Sequence, residues 1–120
     1  MPTALQTTAA GWLLISLGHT ISAKDWQSPP GFRALPNLSY TCAKAGWYQG
    51  SAFFVMNALL NYSWSKNPAL LDDPVNKAIA ALMTAIVWVS SGWYLKKGVK
   101  GNGVVVALMG ALQAWAAFKE

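Results

Sequence analysis

The chain has 120 residues, is 54% hydrophobic and carries only 11% charged residues. Soluble domains average about 45–50% apolar and about 25% charged residues, so the charge deficit is the larger departure. One cysteine, Cys42, excludes a disulfide framework or a cysteine-based metal site, and a formal charge of +5 without a long basic run gives nucleic acid no footprint.

Charge is absent from Met1–Ala23, Ala45–Ser65, Ala78–Leu95 and Gly101–Phe118, stretches of 23, 21, 18 and 18 residues. A bilayer-spanning helix needs roughly 20 apolar residues, with a range of about 17–25. The expectation is therefore an all-α fold, an integral membrane four-helix bundle forming one transmembrane domain over residues 1–120. The competing expectation is a soluble helical oligomer, because a mean hydropathy of +0.30 is low for a membrane protein. No basic region precedes the first apolar run, so no cleavable signal peptide is expected.

The first helix is predicted over about residues 3–23. Thr3-Ala-Leu-Gln6 has the spacing of a capping box. Thr7, Thr8, Ser16, His19, Thr20 and Ser22 make it a weak span by itself. Residues 24–40 read as a loop, broken at Ser28-Pro29-Pro30-Gly31 and again at Pro36-Asn37. The second helix is predicted over about 40–64, ended by Asn67-Pro68. The third runs from about 74 to 97, with Asp73 as its cap and Pro74 at its first position. Gly98 and Gly101 frame a turn, and the fourth helix runs over about 102–118.

If all four helices span, the first and third connections share one side. That side carries Lys24, Arg33, Lys44, Lys96, Lys97 and Lys100, against Lys66, Lys77 and Lys119 on the other. The bias places those connections in the cytosol and both termini opposite, with the endoplasmic reticulum as the expected membrane. Trp26, Trp47, Tyr48, Trp93 and Tyr94 fall at the cytosolic ends, and Tyr62, Trp64 and Trp115 toward the others. Trp47 to Trp64 spans about 26 Å at 1.5 Å per residue, close to the ~30 Å hydrocarbon core. The sequons at Asn37 and Asn61 are expected to stay unmodified, one being cytosolic and one near the membrane.

Polar residues inside spans require an explanation. His19 is the only histidine and lies about one turn from Lys24. An intramembrane ionisable residue is a functional hypothesis by default, although a neutral imidazole can also simply bridge two helices. Gln49, Asn57 and Asn61 lie on a row, 49-53-57-61, that turns by about 40° per step and is expected to face the interior. Amides also serve as glue between membrane helices, at roughly 0.6–2 kcal/mol per contact. Thr84, Trp88 and Ser91 share a face with Lys77, which can snorkel to water, and Gln113 shares one with Val106 and Gly110. Gly46-x-x-x-Gly50 reads as a close-packing motif.

With these faces inward, His19, Gln49, Asn57, Asn61, Thr84, Ser91 and Gln113 are expected to line one central site walled by Trp12, Trp88 and Trp115. Such a site suits an uncharged or weakly polar lipophilic small molecule. His19 is its only acid or base, with Gln49, Asn57 and Asn61 placed to orient substrate or stabilise an oxyanion. The carboxylates Asp25, Asp72, Asp73 and Glu120 lie outside the spans, so neither metal nor cofactor is expected. The function expected first is a cofactor-free isomerase or cyclase resident in the lipid bilayer. The alternatives are a non-catalytic binding or assembly subunit and a small-molecule carrier acting as a homo-oligomer.

Gly18-His19, Ala45-Gly-Trp-Tyr-Gln-Gly50, Ser90-Ser-Gly-Trp-Tyr94 and Lys97-Gly-Val-Lys-Gly-Asn102 give the whole chain a resemblance to small four-helix integral membrane proteins of fungal type. In layout it also resembles DoxX-type four-helix membrane proteins, through the Gly-His of the first helix. The resemblance implies the four-helix membrane fold and a place near lipophilic metabolism, and it carries no activity with it.

Overall fold

The computed structural model describes residues 3–119, so Met1, Pro2 and the tail carboxylate Glu120 lie outside it. Helix α1 spans Ala4–Gln27, α2 Pro30–Arg33, α3 Asn37–Lys66, α4 Pro74–Lys96 and α5 Lys100–Phe118, with a 3-10 turn at Pro68–Asp72 between α3 and α4. No strand occurs among the described residues.

Local chemistry accounts for the ends. Thr3 Oγ1 accepts from Gln6 N at 3.1 Å while Gln6 Oε1 accepts from Thr3 N at 2.9 Å, so the capping box is closed both ways. Asp73 caps α4 through Asn76 N, and Pro74, which lacks a donor, takes the first helical position. Gly98 has φ +80°, the left-handed conformation that ends α4 and turns the chain into α5.

Residues 24–40 depart from the expected loop. Nothing in Lys24-Asp25-Trp26-Gln27 breaks a helix, so α1 continues until Pro29-Pro30 stops it. Pro30 then starts the single turn α2, and Pro36 serves as the N-cap of α3. A proline interrupts a helix only from its interior; at a start its fixed φ is already suitable. Buried Phe32 holds this corner, packed edge-on to Trp26 at 5.0 Å and against Tyr40 at 4.9 Å. At the fourth helix, α5 begins two residues before the expected Asn102.

α1 packs along α3, α4 packs along α5, and the two hairpins meet mainly through α1 and α5. The connection through α2 and the Gly98 turn lie at one end of the molecule, where Ser22, Trp47, Tyr94 and Gly101 converge. The molecule measures 50 × 27 × 24 Å with a radius of gyration of 15.7 Å. A compact soluble chain of this length has a radius of gyration of about 14 Å, so the fold is elongated along its helices.

Small residues set the spacing. A Cβ on Gly110 would stand 2.4 Å from Trp88 Nε1 and 3.0 Å from Val87, and one on Gly103 would stand 2.7 Å from the Leu95 side chain. Both glycines let α5 approach α4 closely. In the expected Gly46-x-x-x-Gly50 motif only Gly50 is at a contact, against His19; Gly46 has nothing near it.

Polar side chains share the interior with an apolar core, while many large apolar side chains face outward. Thr8, Ser16, Ser51, Asn57, Asn61, Thr84, Ser91 and Gln113 are buried, whereas Leu14, Leu17, Leu59, Leu82, Val89 and Leu108 are each more than half exposed. Length and composition make α4 and α5 apolar enough to cross a bilayer; α1 and α3, which hold most of the buried polar groups, fall short of that.

Replacing Gly110 by valine is expected to push Trp88 off α5, break its Nε1 bond to Ala107 O (3.2 Å), and cost about 1–3 kcal/mol. The drop in melting temperature of the purified protein, followed by circular dichroism, measures it. An unchanged melting temperature would show that α4 and α5 do not depend on this approach.

Candidate functional site

The polar residues expected at one site occupy two. The first is a sealed junction in the half of the molecule away from the Gly98 turn. Gln113 on α5 and Asn61 on α3 exchange reciprocal bonds: Asn61 Nδ2 donates to Gln113 Oε1 at 2.7 Å and Gln113 Nε2 donates to Asn61 Oδ1 at 3.0 Å. The indole N–H of Trp12 on α1 also donates to Gln113 Oε1, at 2.7 Å. Asn61 donates further to Asn57 O at 2.8 Å. Trp12, Asn61 and Gln113 have no exposed surface at all. This junction ties three helices together, with its three side chains closed off from solvent.

Thr84 and Ser91 are buried on α4. Thr84 Oγ1 donates to Ala80 O within its own helix, and Ser91 Oγ donates to Gly103 O of α5 at 2.7 Å. They are interhelical and intrahelical ties, not members of a common pocket. Trp88 is half exposed at the α4–α5 seam, and Trp115 is half exposed with Lys119 Nζ 5.0 Å over its ring. Neither walls the interior. Trp115 lies two residues from Gln113, about 200° around the helix, which puts it on the opposite face.

Gln49 is exposed on α3 and makes no contact with His19 or with the amide junction. The reason lies in the row used to place it. Rows of i+4 residues rotate by about 40° per step, so three steps from Asn61 to Gln49 turn about 120° away. The buried face of α3 follows mainly three-residue steps, with an occasional four, instead, through Ser51, Phe54, Asn57, Ala58, Asn61 and Trp64. Extended backward, that spacing reaches Trp47 and Gly50, expected as an interfacial anchor and a packing glycine and found beside His19.

The second site is built around His19. One stretch of α1 clasps Ser51 of α3: Ser16 Oγ donates to Ser51 O at 2.8 Å, while His19 Nδ1 and Thr20 Oγ1 each lie 2.8 Å from Ser51 Oγ. The indole of Trp47 stacks on the imidazole, centroids 3.7 Å apart and planes 11° from parallel, and its Nε1 donates to His19 O at 2.7 Å. Phe54 meets the other side edge-on at 5.1 Å. Gly50 leaves the space: an added Cβ would come within 3.1 Å of His19 Cε1. The ring is thus fixed from three sides through Nδ1, face and edge.

Among the described residues Nε2 of His19 has no hydrogen-bond partner. His19 lines a cleft of about 400 Å³ between α1 and the start of α5, together with Leu14, Gly18, Asn102, Val105 and Val106. Ligand sites typically enclose about 300–1,000 Å³ of mostly apolar surface with a few polar groups. Of the expected site residues only His19 reaches it; Asn57 and Asn61 lie about 9–15 Å farther along α3 than Ser51. Asn102 and Ser22 are polar residues of the cleft that were not singled out. A larger hollow of about 610 Å³ lies at the other end, among Thr3, Ser65, Pro68, Lys77 and Lys119, and no buried polar group opens into it. Among the described residues no His, Cys, Asp or Glu cluster could hold a metal ion.

Gly18 is informative. Glycine inside a helix costs about 0.5–1 kcal/mol relative to alanine. A Cβ here would meet nothing within 4 Å, so helix packing does not require it. Its effect is to leave the cleft wall bare beside His19.

No protein family, curated protein or solved structure matches the chain. The site's chemistry therefore rests on its own geometry.

Replacing Gln113 by leucine is expected to strand the Trp12 indole and the Asn61 amide in the core, at about 1–3 kcal/mol for each orphaned group. The double variant Asn61→Leu/Gln113→Leu should lose less than the sum of the single variants, since each single change leaves the other amide unpaired. Strictly additive losses in chemical denaturation would show that the pair does not couple α3 to α5.

Proposed function

We propose that the chain is an integral membrane four-helix bundle that binds a lipophilic small molecule in the His19 cleft. The observation that carries this reading is the cleft itself: an apolar hollow, bared by Gly18 and lined by the held imidazole of His19, whose Nε2 has no hydrogen-bond partner among the described residues. The bilayer setting is supported by the many large apolar side chains that face outward and by the span-length helices α4 and α5. α1 and α3 join them in the membrane because Ser16, His19, Thr20, Ser51 and Asn61 bond within or across the helices, which lowers the cost of placing them in hydrocarbon. The resemblance to four-helix membrane proteins with Gly-His in the first helix accords with this, since Gly18 and His19 both line the cleft.

Orientation follows from the six basic residues gathered at the end that holds α2 and the Gly98 turn, which is assigned to the cytosol. Cys42, exposed near the start of α3, reports on it. A membrane-impermeant maleimide is expected to label Cys42 in sealed vesicles from the cytosolic face only. Labelling from the opposite face would reverse the topology, and complete labelling in protein that washes off membranes with carbonate would remove the bilayer reading.

Proton transfer within the bound molecule is a second reading, favoured by the Ser51 bond to Nδ1, which leaves Nε2 to act on a ligand. In that case Asn102, not Gln49, Asn57 or Asn61, is the side chain placed to steady developing charge.

Gly18→Leu tests the binding reading, because Gly18 lines the cleft and a Cβ there has no protein atom within 4 Å. The variant is expected to fold as stably as the parent and to lose any small molecule that co-purifies in native lipid, detected by mass spectrometry. An unaltered lipophile content would favour the assembly-subunit alternative instead.

A further inference from the structure

The cleft has two unlike ends. At the end nearest the Gly98 turn stand His19, Ser22 and Asn102; toward mid-molecule its walls are Leu14, Val105 and Val106. This order holds on both helices, since α1 runs toward the turn and α5 runs away from it. Resting on the membrane-binding reading above, we infer that the ligand is a neutral amphiphile with a hydroxyl head, lying along the helices with its head at His19 and Asn102 and its chain toward Leu14.

Depth supports the orientation. Trp47, stacked on His19, packs at 5.0 Å against Trp26, and these indoles occupy the level where tryptophans meet lipid head groups. His19 is thus at head-group depth. Leu14, five residues before it, is about 7.5 Å nearer the bilayer centre. Leu14 is 69% and Val105 49% exposed, so the cleft opens sideways, toward the space that acyl chains would fill. An amphiphile in the bilayer already has this direction and reaches the cleft without turning over.

The head group follows from the lining. No charged side chain lines the cleft, so a carboxylate or phosphate would enter without a countercharge. A hydroxyl suits what is there: it can give its proton to His19 Nε2 and accept one from the Asn102 amide, or exchange those roles when the imidazole tautomer changes.

The test uses the full chain in phosphatidylcholine vesicles and photoreactive sixteen-carbon probes: an alcohol with the diazirine near its head, the same alcohol with it near its tail, the matching carboxylate and the headless alkane. The head-proximal alcohol is expected to label residues 14–15 or 105–106, well above the alkane and the carboxylate. His19→Ala should cut that labelling about tenfold, the worth of one hydrogen bond to the head, and leave alkane labelling unchanged. Circular dichroism melts of His19→Ala control for its folding, and Gly18→Leu gives the blocked-cleft background. Equal labelling by alkane, or stronger labelling by carboxylate, would overturn the hydroxyl head while leaving the cleft a lipophile site. Labelling of those residues only by the tail-proximal probe would overturn the orientation. If no probe labels the parent above Gly18→Leu, the proposed function itself fails.

Discussion

The bundle depends on one polar junction. Asn61 and Gln113 satisfy each other's amides across α3 and α5, and Trp12 adds the third helix through the same oxygen. All are out of contact with solvent, so none has an alternative partner once the helices have met. In the proposed bilayer setting, helices gain little from apolar contact with one another, and packing and interhelical hydrogen bonds set which faces meet. The junction joins the two hairpins in a single register: slide α5 by one residue and Gln113 turns about 100° away from both partners.

That register also creates the cleft. Above the junction α1 is held to α3 by the Ser16, His19 and Thr20 clasp on Ser51, while α5 is held to α4 by Gly103, Gly110 and the Ser91 bond. Each hairpin closes on itself there, and α1 and α5 are left apart beside Gly18. The cleft is a consequence of strong pairing within the hairpins at this end, while the hydrogen bonds between them, at Gln113 and from Trp64 to Asn76, lie toward the other.

Much of the scaffold was legible from local chemistry. The Thr3/Gln6 box, the Asp73-Pro74 start and the Gly98 turn are effects of a few neighbouring residues, and each stands where its residues indicate. The corner at residues 24–40 was read as a loop because prolines were taken only as breakers; Pro30 and Pro36 instead begin helices. The interior was half legible. Trp12, Asn57, Asn61, Thr84, Ser91 and Gln113 are indeed buried, but burial does not say which of them share a space. Gln49 was lost to the rotation of an i+4 row, and the division into junction and cleft depends on how two hairpins dock, which no single helix encodes. Ser51 was invisible for a related reason: a serine gains its meaning only from the three α1 residues that converge on it.

The uneven apolarity of the two hairpins bears on how such a chain would be made. In the proposed bilayer setting, α4 and α5 are apolar enough to partition on their own, whereas α1 and α3 carry the hydroxyls and amides that need Gln113 and one another. Synthesis delivers the dependent hairpin first and its partner last. The first half of the molecule must therefore wait at the membrane with the Asn61 side-chain carbonyl unpaired until the second half arrives, so a chain truncated before Gln113 would be a substrate for quality control rather than a smaller working protein.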